Sequence, residues 1–171
     1  MNLILIALLT QVNLYFLKDS PNLLVRIRPN VATQQVVIYY SFINAKWDSV
    51  IAQSYNAYFD AVITTPDTVN VIGLFYKYDG VMDDNKGNLY LFEVKKSPRM
   101  ILPLSLDYLK TVLKQARKKI TSQTHIDEAI TLIDYVEKLL IVFPYIKGSE
   151  LEININLLLS EINELKGIIS K

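Results

Sequence analysis

The stretch Val69-Asn-Val-Ile-Gly-Leu-Phe-Tyr-Lys-Tyr-Asp-Gly-Val-Met-Asp-Asp-Asn-Lys-Gly-Asn-Leu-Tyr-Leu-Phe-Glu-Val-Lys-Lys96 decides how the chain is read. Residues 69–78 are β-branched and aromatic, the composition of a strand. Asp79-Gly80 and residues 81–82 lead into the turn-forming Asp84-Asn85-Lys86-Gly87, which predicts a hairpin. After Asn88, residues 89–92 are apolar, and the segment turns polar from Glu93 to Lys96. Folded as a hairpin, this spacing brings Asp79 beside Glu93 at one end of a sheet. Glu93 and Lys95 are two apart and share a face. Two carboxylates and an ammonium then converge at a strand end, with the Val94 carbonyl nearby.

Outward from this stretch the elements are less sharply written. Downstream, Leu106, Leu109, Leu113, Ala116 and Ile120 recur at helical spacing and predict an amphipathic helix over 105–120. A second helix is expected over 126–138 and a last one over 158–170. Strands are expected at 139–146 and at 151–157, the latter from its Leu-Glu-Ile-Asn-Ile-Asn-Leu alternation. Upstream, Trp47, Val50, Ile51, Ala57 and Tyr58 at helical spacing predict a helix over 47–60 that ends before Thr65-Pro66-Asp67. The apolar runs 23–27 and 35–42, separated by Arg28-Pro29-Asn30, read as a strand pair. The apolar start, residues 1–17, is cut by Gln11 and Asn13 and has no cation before Leu3. It reads as a buried core element rather than a membrane span or a secretory signal. One α/β domain over 1–171 is expected, a central mixed β-sheet flanked by helices.

Composition narrows the chemistry. The chain has 171 residues, 51% hydrophobic and 20% charged, which excludes intrinsic disorder. The lack of cysteine excludes disulfides, a thiol nucleophile, a four-cysteine zinc site and an iron–sulfur cluster. A single histidine, His125, argues against a histidine-rich metal site or a Ser-His-Asp triad. Any metal must be a hard cation on carboxylates. The net charge is only +1, but residues 86–119 carry +7, between flanks of −2 and −4. Lys96 and Arg99 follow the carboxylate–lysine cluster. Lys110, Lys114, Arg117 and Lys118 then form one stripe on the helix 105–120, a pattern that can track a phosphate backbone. Tyr76, Tyr78 and Tyr90 beside the cluster are accounted for by strand propensity, and Asp83 and Asp84 by turn chemistry.

Asp79, Glu93 and the Val94 carbonyl offer oxygen ligands that suit Mg²⁺ or Mn²⁺. Such an ion assists phosphodiester hydrolysis, with Lys95 orienting the water or stabilising developing charge. Asp79-Gly80, then Glu93-Val94-Lys95 at the end of an apolar strand, then the helix 105–120, resembles the PD-(D/E)XK nuclease superfamily over residues 47–120. That family includes restriction enzymes, RecB-type exonucleases and archaeal Holliday junction resolvases. The resemblance implies a restriction-endonuclease-like core, with Asp79 and Glu93 as metal ligands and Lys95 as the catalytic lysine. It also implies DNA as the partner and, as related folds often do, a homodimer. In RecB-like members a glutamine on the next helix is followed four residues later by a tyrosine. Gln115 fits the first position, while Lys119 stands at the second. The first helix of many members supplies an acid. Here that helix offers Gln53, with Asp48 and Asp60 at its ends, so the fourth ligand is either missing or replaced.

The cysteine-free, Ile/Asn/Tyr-rich composition also resembles proteins of viruses of hot-acid archaea, which implies the host cytoplasm. Two other readings stay open: a nuclease-like fold that binds nucleic acid without cleaving it, and a virion or membrane-associated interaction protein motivated by residues 1–17.

Overall fold

In the computed structural model, which describes residues 11–170, six strands precede the decisive stretch. They are β1 (Gln11–Phe16), β2 (Leu23–Arg28), β3 (Val36–Ser41), β4 (Asp48–Ile51), β5 (Gln53–Tyr55) and β6 (Tyr58–Ile63). Four more follow: β7 (Val71–Tyr78), β8 (Val81–Asp83), β9 (Tyr90–Lys96) and β10 (Arg99–Leu104). Three helices complete the chain: α1 (Leu106–Thr121), α2 (Ile126–Leu140) and α3 (Glu150–Ile169). The strands form a four-stranded sheet ordered β1-β2-β6-β5 and a six-stranded sheet ordered β10-β9-β7-β3-β4, with β8 also on β7.

Three layers result. One face of the six-stranded sheet packs Val71, Phe75 and Leu91 against Leu109, Leu113, Ile133, Phe143 and Ile162 of the helical layer. Its other face packs Ile38, Leu74, Tyr76 and Val94 against Val25, Ile27 and Phe59 of the four-stranded sheet. Covered on both sides, β7 buries six consecutive residues, Val71–Tyr76, where a half-exposed strand would alternate. Gly73 on β7 is required by close approach: a Cβ there would lie 2.6 Å from the Pro144 Cβ. The connection carrying Pro144 is fixed by the Trp47 indole, which donates to the Tyr145 carbonyl at 3.0 Å.

The structure is α/β, but among the described residues its sheets are not mixed: each strand pairing is antiparallel. Among the same residues, helices cover one face of the larger sheet. The helix expected over 47–60 is instead β4, β5 and β6, because Phe59, Ala61 and Ile63 point inward while Tyr58, Asp60 and Val62 point outward. The runs 23–27 and 35–42 are strands but not partners, since β2 pairs with β1 and β6, and β3 with β4 and β7. The strand expected over 151–157 is the start of α3, where the Ser149 hydroxyl caps the helix by accepting from the Glu152 N–H at 3.3 Å. Only Leu151 and Ile155 of that alternation face the core, while Ile153 and Leu157 are exposed. Residues 139–140 end α2 and 141–149 are a connection, not a strand. Of the apolar start, 11–16 form β1, Leu17 begins the turn that follows, and 1–10 lie outside the described residues. Among the described residues no helix is long and apolar enough to cross a membrane.

Candidate functional site

The decisive stretch folds differently from a simple hairpin. Asp79 (φ 47°) and Gly80 (φ 80°) form a two-residue left-handed turn joining β7 to β8. Asp-Gly is favoured there because both positions need positive φ. β8 pairs with residues 76–78 of β7, and β9 pairs with residues 71–74. The opposite edge of β7 is taken by β3, so β8 and β9 lie end to end along one edge, interrupted by the 84–89 loop. Glu93 is opposite Val71. Asp79 lies eight residues further along β7, about 25 Å away at the rise of a strand. Asp79 and Glu93 therefore do not converge, and Asp79 is a turn residue.

Glu93 and Lys95 do share the helix-facing side of β9. The Glu93 residue is only 8% exposed. A carboxylate so placed needs compensation. The Tyr135 hydroxyl, from α2, donates to Oε2 at 3.1 Å. The Lys95 Nζ stands 3.6 Å from the same oxygen. Burial, reinforced by the Glu93 charge and hydrogen bond and by Tyr108 on α1, holds the Tyr135 phenol above the ordinary tyrosine range. Val94 points the other way, into the core between the sheets, and its N–H donates to the Asn70 carbonyl at 2.8 Å.

These groups line a cleft of about 320 Å³ with Asp67, Asn70, Lys96, Ser97 and Lys138. Asp67 was not among the residues singled out from sequence. It enters the cleft because the head of β7 lies beside the tail of β9, and its side chain is 99% exposed. The signal was present in the dipeptide Pro66-Asp67 just ahead of the strand at 69–78. Tyr135 and Lys138, on α2, carried no comparable signal. A larger cleft of about 460 Å³ lies between the 85–89 loop and the starts of α1 and α3, and holds none of the Glu93 cluster.

The basic residues are dispersed. Lys96 donates to the Pro66 carbonyl at 2.7 Å and stands 3.5 Å from Asp67 Oδ1, at the rim of the cleft. Arg99 is a structural tie, donating to the carbonyls of Leu17 (2.9 Å) and Ser20 (2.6 Å) while lying over the Phe16 ring. Lys110 pairs with Asp107 at 3.4 Å and Arg117 with Glu161 at 2.8 Å. Lys114 and Lys118 line a shallow groove on the outer face of α1 with Gln115. Gln115 is exposed there and does not reach Glu93. Tyr76 and Tyr90 both donate to the Asp83 carboxylate, at 2.8 and 2.9 Å, and so fix β8.

Among the described residues no three His, Asp or Glu side chains gather into a metal cage. Asp67 and Glu93 are the two carboxylates that line the cleft; a water-rich Mg²⁺ is commonly held by one or two such groups. Comparison with protein-family models, curated proteins and solved structures finds no match.

Proposed function

We propose that the cleft hydrolyses phosphodiester bonds of DNA, with Asp67, Glu93 and Lys95 as its working groups. The observation that carries this is their shared cleft at the adjoining ends of β7 and β9. In chain order the residues read Pro66-Asp67, then Glu93-Val94-Lys95, which keeps the likeness to the PD-(D/E)XK pattern while replacing Asp79 by Asp67. The likeness is confined to this strand pair and to α1 that follows it. β4–β6 stand where that family places its first helix.

Asp67 and Glu93 would hold Mg²⁺ or Mn²⁺, which when bound offsets phosphate charge and lowers the pKa of a coordinated water. Tyr135 holds the Glu93 carboxylate in one orientation through its hydroxyl. Lys95 sets an ammonium beside Glu93. There it stabilises the charge that develops on the phosphate oxygens. Burial of Glu93 under α2 keeps competing water from one side of the carboxylate.

The test is cleavage of linear, circular and branched DNA, and of RNA, in Mg²⁺ or Mn²⁺. Glu93→Gln, Lys95→Ala and Asp67→Asn are each expected to lower turnover by about 100-fold or more, the scale of losing one stabilising group. Asp79→Asn should stay within about twofold of the parent, since asparagine also suits the turn. Cleavage undiminished in Glu93→Gln, or an Asp79→Asn loss equal to it, sinks the proposal. A second reading is phosphate-backbone binding without cleavage, favoured by the three ammonium groups against two carboxylates in the cleft. It is distinguished by tight binding in a protein that cleaves nothing.

A further inference from the structure

We infer that Lys138 holds a second phosphate of the substrate, so that the cleft selects a polynucleotide strand over an isolated phosphodiester; this rests on the reading of the cleft above. Lys95 stands by Glu93, and Lys96 by Asp67 and the Pro66 carbonyl. Lys138 is the third ammonium lining the cleft, and it takes part in none of the ion pairs among the described residues.

Its position is set by Tyr135, three residues earlier on α2. Residues at that spacing are neighbours on one helix face, about 5–6 Å apart at their Cβ atoms. Tyr135 touches Glu93, so Lys138 projects from the same wall about one turn further along. A phosphate seated at Glu93 and Lys95 leaves Lys138 beside the next position on the strand, where the substrate carries another negative charge. Lysine in the last turn of a helix also favours the helix dipole. That role needs no cleft and predicts no change in binding.

Binding of a labelled single-stranded DNA oligonucleotide, followed by fluorescence anisotropy in EDTA, separates the two. Between about 50 and 200 mM salt, Lys138→Ala should lose about tenfold in affinity. Its slope of log affinity against log salt should flatten by about 0.7, one phosphate contact on a single strand. Lys138→Arg should retain both. If the parent hydrolyses bis(p-nitrophenyl) phosphate, Lys138→Ala should leave kcat/KM for that single-phosphate substrate unchanged. An affinity and slope in Lys138→Ala equal to the parent overturn the inference. So does equal damage on both substrates. Absence of cleavage by the parent overturns the nuclease reading alone, because the binding measurement is made without metal.

Discussion

At the level of single residues, the buried carboxylate of Glu93 is the feature that needs most explanation. It sits on a strand whose other buried residues, Leu91 and Val94, are apolar, and its Oε2 is satisfied by Tyr135 and faced by Lys95. Removing the hydroxyl in Tyr135→Phe leaves a charged acceptor short of a donor, which costs about 1–3 kcal/mol near neutrality. The pH dependence carries a second signature. Because the native state holds the Tyr135 proton more tightly than the unfolded chain, this contribution is complete below the unfolded tyrosine value near pH 10. It is lost as pH rises beyond that, since the unfolded state then gives up the proton first. Urea unfolding at pH 9 and pH 11 should therefore show the gap between parent and Tyr135→Phe narrowing at the higher pH. A gap that stays constant would mean that burial and the Glu93 contact do not hold the Tyr135 proton as described.

At the level of elements, β7 is the organising strand, and Gly73 shows how tightly it is enclosed. Gly73→Ala sets a methyl 2.6 Å from the Pro144 Cβ, so the 141–149 connection or the strand must shift. Overpacking of this kind costs about 1–3 kcal/mol, measurable as a lowered midpoint in chemical denaturation. An unchanged midpoint would show that the connection yields freely. The sequence made some elements legible and concealed others for physical reasons. The helices at 105–120 and 126–138 were plain because their apolar stripes are narrow. The residues 151–157 were not, because an alternating run also satisfies a helix that places Leu151 and Ile155 inward and leaves Ile153 and Leu157 outside. In 47–60, Trp47, Val50 and Ile51 mimic helical spacing before the two-residue period of β6 becomes visible. Glu93 and Lys95 were legible because charges on an apolar strand need a reason. Asp67 was not, because local turn chemistry at 84–87 suggests a β8–β9 hairpin, whereas the pairing of β9 with the head of β7 is set by tertiary packing.

At the level of the whole molecule, the two sheets are joined differently on their two sides. On one side a single strand crosses between them: β4 pairs in the larger sheet, β5 in the smaller, and buried Ala52 makes the corner. The Ala52 N–H donates to the Val36 carbonyl at 2.9 Å, which holds that corner closed. On the other side β1 lies over β10 with no covalent link, and Arg99 spans the seam. Its guanidinium serves the Leu17 and Ser20 carbonyls and covers Phe16, so a residue that sequence assigns to a nucleic-acid contact is spent on joining layers. Arg99→Ala is therefore expected to lower stability by about 1–3 kcal/mol, the scale of hydrogen bonds from a charged donor. Amide exchange should quicken first in β1 and β2, while α1 and α2, packed on the far face of the larger sheet, keep their protection. Affinity for the oligonucleotide should stay within about twofold of the parent under conditions where both are folded. Weakened binding with unchanged stability and exchange would return Arg99 to the nucleic-acid surface and leave the β1–β10 seam to hydrophobic contact alone.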